Sequence, residues 1–272
     1  MELTIFGTAA AEAWPAPFCR CEACREARRR GGPNLRTRSG ALLDSDLKID
    51  FGPDTIAHMH RTGRDLAEVR TLVFTHQHSD HIVPTELEWA APPYTLTPPP
   101  PIAVFGNAEV GGMIAREFPD LAAQNLDLRP PLVPLKTVTT PTGDTILPLP
   151  ADHAAGSLLL RITRAGKTLF YGHDSGLYPP ATLEALGDGP PLDIALFDCT
   201  YGAQETTNRG HLGIGGVVQM AEELRRRGAV TEKTKLVATH FSHNGRLLHE
   251  ELVEAFLPHR IAVAFDGMVV RA

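Results

Sequence analysis

One short stretch of this chain concentrates residue types that bind metal ions. Three imidazoles and one carboxylate occur together in Thr75-His76-Gln77-His78-Ser79-Asp80-His81. Neutral imidazole and carboxylate are ligands for zinc, manganese, iron and nickel. A polar loop that is rich in histidine by chance is the alternative, but four ligands in the pattern H-x-H-x-D-H favour a metal site.

Three other residues with ligand side chains stand at the ends of predicted strands. They are His153, Asp174 and His240, which follow strands predicted over 145–149, 168–171 and 235–239. A lone histidine in such a position is more often structural, but beside the first motif these residues are candidate ligands. The small residues around Asp174 would let a metal or a substrate approach closely, whereas His173 is predicted to be structural.

A second cluster of ligand residues is Cys19, Cys21 and Cys24, spaced C-x-C-x-x-C. In a chain without a visible secretory signal, this spacing predicts a metal site rather than a disulfide framework. Three thiolates need a fourth ligand from elsewhere to close a structural zinc site. Free surface thiols are the alternative. Cys199 stands alone after an apolar run and is predicted to be a small buried residue.

The predicted elements place the histidines and aspartates at strand ends. Apolar runs bounded by turn residues predict strands over 3–6, 39–43, 47–50, 71–74, 102–105, 145–149, 158–163, 168–171, 194–197, 235–239, 261–264 and 268–270. Helices are predicted over 22–30, 85–91, 108–118, 217–227 and 247–256. The proline-rich segment 92–101 is predicted to be a stiff connector or a rim of the active-site cleft. Early hairpins followed by alternating strands and helices indicate two sheets between helical layers.

The composition predicts one globular domain over residues 1–272. The chain has 272 residues, 43% of them hydrophobic and 21% charged, which suffices for one large domain with an ample core. No apolar run approaches the ~20 residues of a membrane span, and no secretory signal is visible, so a cytoplasmic location is expected. The net charge of −6 argues against broad electrostatic binding of nucleic acid. Arg36 and Arg38 stand near a predicted strand, where they could reach an anionic substrate.

The histidine motif resembles the signature of the metallo-β-lactamase superfamily, and the resemblance covers nearly the whole chain. It implies an α/β fold, the αββα sandwich, with two divalent ions, zinc or manganese, at the active site. The implied ligands are His76, His78 and His153 for one metal, Asp80, His81 and His240 for the second, and Asp174 as the bridge. Asp80 would also take part in catalysis. Asp50 would support the ligands by hydrogen bonding rather than bind a metal, the alternative being a helix cap.

Within the superfamily the sequence is most similar to the PhnP family, phosphodiesterases of the carbon–phosphorus lyase pathway that open a cyclic phosphate on ribose. The similar segments are 7–10 with the cysteine cluster, 36–39, 239–243 and 265–268. This resemblance implies one structural zinc held by Cys19, Cys21, Cys24 and His243, and places His211 near the leaving group. The segments 82–85 and 92–101 depart from that family's pattern, which leaves the substrate open. A family of pyrroloquinoline quinone synthesis shares the cysteine cluster but typically lacks the full histidine motif.

These features predict a metal-dependent hydrolase, and the first hypothesis is a phosphodiesterase for a small phosphodiester, cyclic ones included. Two cations would lower the pKa of a bound water and offset the phosphate charge. His211 would protonate the leaving alkoxide or stabilise its charge, the alternative being a structural histidine. A homodimer is compatible with the sequence.

Three other functions compete with this hypothesis. The second is a lactonase, thioesterase or RNA-processing nuclease, and the lack of a basic patch weakens the nuclease. The third is a di-iron oxidoreductase, which His78 opposes because such proteins commonly carry glutamate there. The fourth is a non-catalytic metal-bound scaffold, which the complete ligand set disfavours.

Overall fold

Two sheets of seven strands form the centre of the structure, a computed structural model that describes residues 1–204 and 206–272. The first sheet contains β1 (Glu2–Gly7), β2 (Gly40–Leu43), β3 (Leu47–Ile49), β4 (Thr71–Val73), β5 (Ile102–Phe105), β6 (Leu126–Leu128) and β14 (Met268–Arg271), in the order β14-β1-β2-β3-β4-β5-β6. The second contains β7 (Val138–Thr139), β8 (Thr145–Pro150), β9 (Leu158–Arg164), β10 (Lys167–Gly172), β11 (Ile194–Asp198), β12 (Lys235–Thr239) and β13 (Ala262–Val263), in the order β13-β12-β11-β10-β9-β8-β7.

The direction of the strands brings many of their carboxyl ends to one edge of each sheet. Strands β3 to β6 pair in parallel, and so do β10 to β13. Strand β8 pairs antiparallel with β9, which pairs antiparallel with β10, so β8 runs in the same direction as β10. Loops that follow these strands therefore emerge together.

Helices cover the outer face of each sheet. They are α1 (Glu22–Arg30), α2 (Thr55–Thr62), α3 (Ala108–Glu117), α4 (Pro180–Gly187), α5 (Ile214–Arg226) and α6 (His249–Phe256). Side chains along a single strand alternate between the two faces of its sheet, which explains why one face packs against the other sheet and the opposite face against helices. In β4, Val73 packs between the sheets, whereas Leu72 packs outward with Val110 and Ile114 of α3. The predicted αββα sandwich is confirmed.

Several predicted helix boundaries differ from the structure. The helix predicted over 85–91 is a 3₁₀ helix, Pro84–Ala90. Helix α5 begins at Ile214 rather than at residue 217, because the small residues Gly215 and Gly216 belong to its first turn. A Cβ on Gly216 would lie 2.5 Å from Asn208 Oδ1, so a loop packs closely against that turn. The short elements α4, β6 and β7 were not predicted. The helix expected to follow Asp50 is α2, and its N-cap residue is Asp54 rather than Asp50.

Candidate metal centre

The candidate ligands lie at one edge of the sandwich, where strands of both sheets end. His76 follows β4 in the first sheet, and Asp50 follows β3. His153 follows β8, Asp174 follows β10 and His240 follows β12 in the second sheet. Segments that are far apart in sequence therefore meet at this edge.

His76, His78 and His153 form one group, whose ring nitrogen atoms lie within 4.8 Å of one another. His153 Nε2 is 3.2 Å from His78 Nδ1. The other nitrogen of His153, Nδ1, is 3.1 Å from the carbonyl oxygen of Gly210. A proton on Nδ1 donated to that carbonyl leaves Nε2 with a free lone pair. Burial, together with the nearby His81, lowers the pKa of His76 well below its ordinary value, which favours the neutral imidazole that metals bind.

Asp80, His81 and His240 form a second group, again with ligand atoms within 4.8 Å of one another. All three side chains are buried. Asp80 Oδ2 lies 3.1 Å from His81 Nε2. Burial would raise the pKa of Asp80, but the His81 imidazole holds it below its ordinary value. Asp80 is therefore a carboxylate, the form that acts as a metal ligand.

Asp174 lies between the two groups. One carboxylate oxygen, Oδ2, is 2.6 Å from His81 Nε2 and 3.8 Å from His76 Nε2. The other, Oδ1, is 3.0 Å from His240 Nε2. Burial would raise the pKa of Asp174, but the imidazoles of His240 and His81 hold it well below its ordinary value. The structure thus brings together all seven residues predicted as ligands, with one carboxylate shared by both groups.

Three residues at this edge adopt left-handed backbone conformations. Asp50, Asp174 and His240 have φ angles of 54°, 49° and 60°. Such values are uncommon for residues other than glycine, although Asp, Asn and His are enriched among them. Each of the three directly or almost directly follows a strand, so the chain turns there and the side chain departs from the alternation of the sheet.

Asp50 contacts a candidate ligand rather than the space between the ligands. Its Oδ2 is 2.7 Å from His81 Nδ1, and its Oδ1 accepts the backbone N–H of Thr75 at 2.8 Å. Lys48, which the sequence analysis did not single out, is buried and donates from Nζ to the carbonyl oxygen of Ile49 at 2.9 Å and to that of Asp50. The Thr75 and His81 contacts hold the Asp50 carboxylate against the ring of His81, and Lys48 holds the backbone beside it.

A carboxylate that the sequence analysis missed, Asp198, holds His211. Asp198 is fully buried at the end of β11, and its Oδ2 is 2.8 Å from His211 Nδ1. Burial would lower the pKa of His211, but the charge of Asp198 raises it above its ordinary value. His211 Nδ1 is also 3.7 Å from Asp174 Oδ1, which places this ring beside the two ligand groups. The signal for Asp198 in the sequence is its place at the end of the strand predicted over 194–197.

The hydroxyl of Thr200 connects His211 with a candidate ligand. Thr200 Oγ1 is 2.9 Å from His240 Nδ1 and 3.2 Å from His211 Nδ1, and it donates to the His240 carbonyl oxygen at 2.9 Å. His173 has a different environment: it is buried, stacks on Tyr171 at 4.0 Å between ring centroids, and burial lowers its pKa to about 3. That neutral, packed ring fits the predicted structural role.

The donor set fits divalent cations. Four buried atoms that point into the site lack a hydrogen bond of acceptable angle within the described residues: His76 Nε2, His81 Nε2, His240 Nε2 and Asp174 Oδ2. Buried polar atoms are almost always satisfied, so four orphans in one place indicate an absent partner. In the described part of the chain, Asp80, Asp174 and Asp198 pair with imidazoles and with no lysine or arginine. Cations would balance the negative charge of these carboxylates and give the four orphaned atoms a partner.

The cysteine cluster forms a separate group at the start of α1, joined by one histidine from the segment after β12. Cys19, Cys21, Cys24 and His243 have ligand atoms within 4.8 Å of one another. His243 Nδ1 lies 3.7 Å from Cys19 Sγ and 3.6 Å from Cys21 Sγ. Three sulfur atoms and one imidazole nitrogen at these separations match the donor set of a closed, four-coordinate zinc site.

The two arginines that were expected near a substrate have different environments. Arg36 is 2% exposed and donates to the Thr8 hydroxyl and the Ala264 carbonyl oxygen, so the expectation that it reaches a substrate is wrong. Arg38 keeps a third of its side chain exposed while Nη2 donates to Asp54 Oδ1 at 2.7 Å.

Comparison with known families identifies the chain. The family model described as the β-lactamase superfamily domain matches residues 47–241, which is well over half of the sequence. The chain belongs to the β-lactamase superfamily. The matched region contains the candidate ligands of both groups, from His76 to His240.

Solved structures of the same superfamily fold cover almost the whole chain. A diphosphatase of the PhnP family is 23% identical, with a TM-score of 0.76 over 100% of this chain and 97% of that one. Zn²⁺-bound PqqB from Methylobacterium extorquens is 17% identical, with a TM-score of 0.77 over 100% of both chains. The short form of human tRNase Z is 17% identical, with a TM-score of 0.62 over 100% of this chain and 99% of that one. No curated protein matches by sequence.

Membership in the β-lactamase superfamily supports a metal-dependent hydrolase of the metallo-β-lactamase fold, a fold family that binds divalent metals. The predicted similarity to the PhnP family is confirmed. Among the helices of residues 1–204 and 206–272, none has the length and apolar character needed to cross a bilayer.

The cysteine cluster of this superfamily member is expected to be a separate zinc site that stabilises the fold. Cys21→Ser should lower the zinc content and the thermal midpoint, because a closed structural site contributes folding free energy. The active-site metals should stay bound, since Cys21 is not among their candidate ligands. Metal analysis and thermal unfolding test this expectation. A variant with full zinc content and an unchanged midpoint would remove the structural-site assignment.

Proposed function

We propose that the protein is a metal-dependent phosphodiesterase that acts on a small phosphodiester. The observation that carries the proposal is the pair of ligand groups that share Asp174, because two-metal sites are typical of enzymes that cleave phosphate esters. His76, His78 and His153 would hold one cation, and Asp80, His81 and His240 the other. Zinc or manganese fits these imidazole and carboxylate ligands.

Two bound cations supply Lewis acidity, which lowers the pKa of water and offsets the negative charge of a phosphate. The chain itself supplies the group for the leaving alkoxide. Asp198 accepts the Nδ1 proton of His211, so Nε2 is the nitrogen that faces outward from this contact. A protonated His211 can give its Nε2 proton to the departing oxygen, and the charge of Asp198, which raises the pKa of His211, favours the protonated ring.

The charge of the chain favours a small substrate. A polymer of nucleotides requires extended positive surface, whereas this chain has a net charge of −6. Arg38 is partly exposed, but its guanidinium donates to both carboxylate oxygens of Asp54, so it adds little net positive charge. A cytoplasmic location and a homodimer belong to the same proposal.

A second candidate function is a diphosphatase. It is favoured by the similarity to the PhnP-family diphosphatase, which spans 100% of this chain at 23% identity. Both reactions displace an oxygen from phosphorus and need the same residues of this chain. They differ in the leaving group, which is an alkoxide in a diester and a phosphate in a diphosphate.

A substrate panel tests the proposal. The purified protein, loaded with manganese or zinc, should cleave an aryl phosphodiester and a ribose cyclic phosphate, and a chelator should abolish this activity until metal is restored. The same panel contains a nucleoside diphosphate derivative, a lactone and a thioester. Turnover of the diphosphate alone would favour the second candidate. Robust turnover of the lactone or thioester without phosphate-ester cleavage would refute both.

A further inference from the structure

His243 has a different neighbour at each of its two ring nitrogens. Nδ1 faces the sulfur atoms of Cys19 and Cys21 at 3.7 and 3.6 Å. Nε2, on the other side of the ring, lies 3.5 Å from Oε1 of Glu12. A carboxylate thus stands directly behind the imidazole that completes the cysteine cluster.

The sulfur atoms of Cys19 and Cys21 accept hydrogen bonds from their own segment, whereas the ring of His243 reaches the cluster from another segment. Cys21 donates its backbone N–H to Cys19 Sγ, and Cys24 donates its own to Cys21 Sγ, both at 3.4 Å. His243 comes from a segment 219 or more residues away in sequence, beyond β12. Its ring therefore needs an external contact to fix which nitrogen faces the sulfurs.

Glu12 is itself held in place. It belongs to the loop between β1 and α1, and its side chain is 31% exposed. Its Oε1 accepts a hydrogen bond from Ser242 Oγ at 2.5 Å, and Ser242 Oγ in turn accepts the backbone N–H of Asn244 at 3.0 Å. The carboxylate is thereby anchored to Ser242, the residue directly before His243.

We propose that Glu12 is a positioning residue for the metal of the cysteine cluster. Through the contact of its Oε1 with Nε2, it favours the tautomer of His243 that carries the proton on Nε2, so that the Nδ1 lone pair faces the sulfur atoms. Partners of this kind behind a metal-bound histidine typically change metal affinity by about 10–100-fold. Glu12 acts through His243 and does not itself contact the metal.

Cobalt binding to the full-length protein measures this site separately from the active site, because only thiolates give sulfur-to-cobalt charge-transfer absorption. Zinc competition then yields the zinc affinity of the cluster. Glu12→Gln keeps the shape and the Ser242 contact but removes the charge, and it should weaken zinc binding by about 10–100-fold. Glu22→Gln is the matched control, since Glu22 is exposed in the first turn of α1, next to Cys21, and it should change the affinity less than about twofold.

The same substitution in a second variant background distinguishes a positioning role of Glu12 from a role in stabilising the fold. In His243→Cys the fourth ligand becomes a thiolate, for which no imidazole has to be oriented. There Glu12→Gln should leave the zinc affinity unchanged. Equal losses in both backgrounds, an unchanged affinity in Glu12→Gln, or no charge-transfer band in the parent protein would each overturn the proposal. If Glu12→Gln does not fold, the test uses Ser242→Ala, which frees the Glu12 carboxylate and should weaken zinc binding. An unchanged zinc affinity in Ser242→Ala would overturn the proposal. None of these measurements depends on phosphodiester turnover.

Discussion

Asp174→Asn should lower kcat/KM for a phosphodiester by about 10³-fold or more and reduce the divalent metal bound at the active site. A bound metal lowers the pKa of its water from about 15.7 to about 7, so loss of the shared ligand removes most of the nucleophile at neutral pH. Asp174 is the residue whose oxygen atoms approach both groups: Oδ2 lies 3.8 Å from His76 Nε2 of the first group, and Oδ1 lies 3.0 Å from His240 Nε2 of the second. Asparagine keeps the shape and tolerates the φ of 49°, so the fold should persist.

The measurements are kcat/KM, metal content and the thermal midpoint. Asp120→Asn is the control, because Asp120 is exposed and its Oδ1 accepts one backbone N–H, a contact that asparagine preserves. It should leave all three quantities unchanged. If Asp174→Asn kept both its metals and more than a tenth of the parent activity, Asp174 would not be the shared ligand.

His211→Ala should have an effect that depends on the leaving group. With a ribose hydroxyl as leaving group, kcat should fall by about 10²–10⁴-fold, the usual contribution of a general acid. With nitrophenolate, which leaves without a proton, the loss should be small. Both metals should remain, since His211 Nδ1 is engaged by Asp198 at 2.8 Å and the two ligand groups are complete without it.

The measurement is kcat on both esters, with metal content determined in parallel. His60→Ala is the matched control, because His60 is exposed on α2, and both esters should be hydrolysed at the parent rate. Equal losses on the two esters, or the loss of a metal, would exclude His211 from the leaving-group role and favour a structural one.

The parts of the site that the sequence reveals are those that are local or that repeat a pattern. The motif from His76 to His81 is visible because four candidate ligand residues stand within one loop. His153, Asp174 and His240 are visible because each follows a predicted strand. Strand prediction succeeded in the centre of the sheets, where residues such as Val73 and Leu72 alternate between the inner and outer core.

The parts that the sequence does not reveal depend on contacts between distant segments. Asp198 stands at the end of β11 like any residue that closes a strand, and its role depends on His211, 13 residues later, folding back against it. Glu12 lies among small residues and meets His243 only when β12 is placed beside the first loop. Lys48 belongs to a three-residue strand, and its burial follows from packing that no local pattern encodes.

The left-handed conformations of Asp50, Asp174 and His240 shape the site but lower the stability of the fold. A residue held in a sparsely populated backbone region costs of order 1–3 kcal/mol, and glycine adopts that region without the steric penalty. Glycine at any of the three positions would therefore relax the backbone while removing a candidate ligand or its support. Laboratory evolution for heat resistance alone would be free to erode this site, and a stabilised descendant would have to be screened for retained metal at every round.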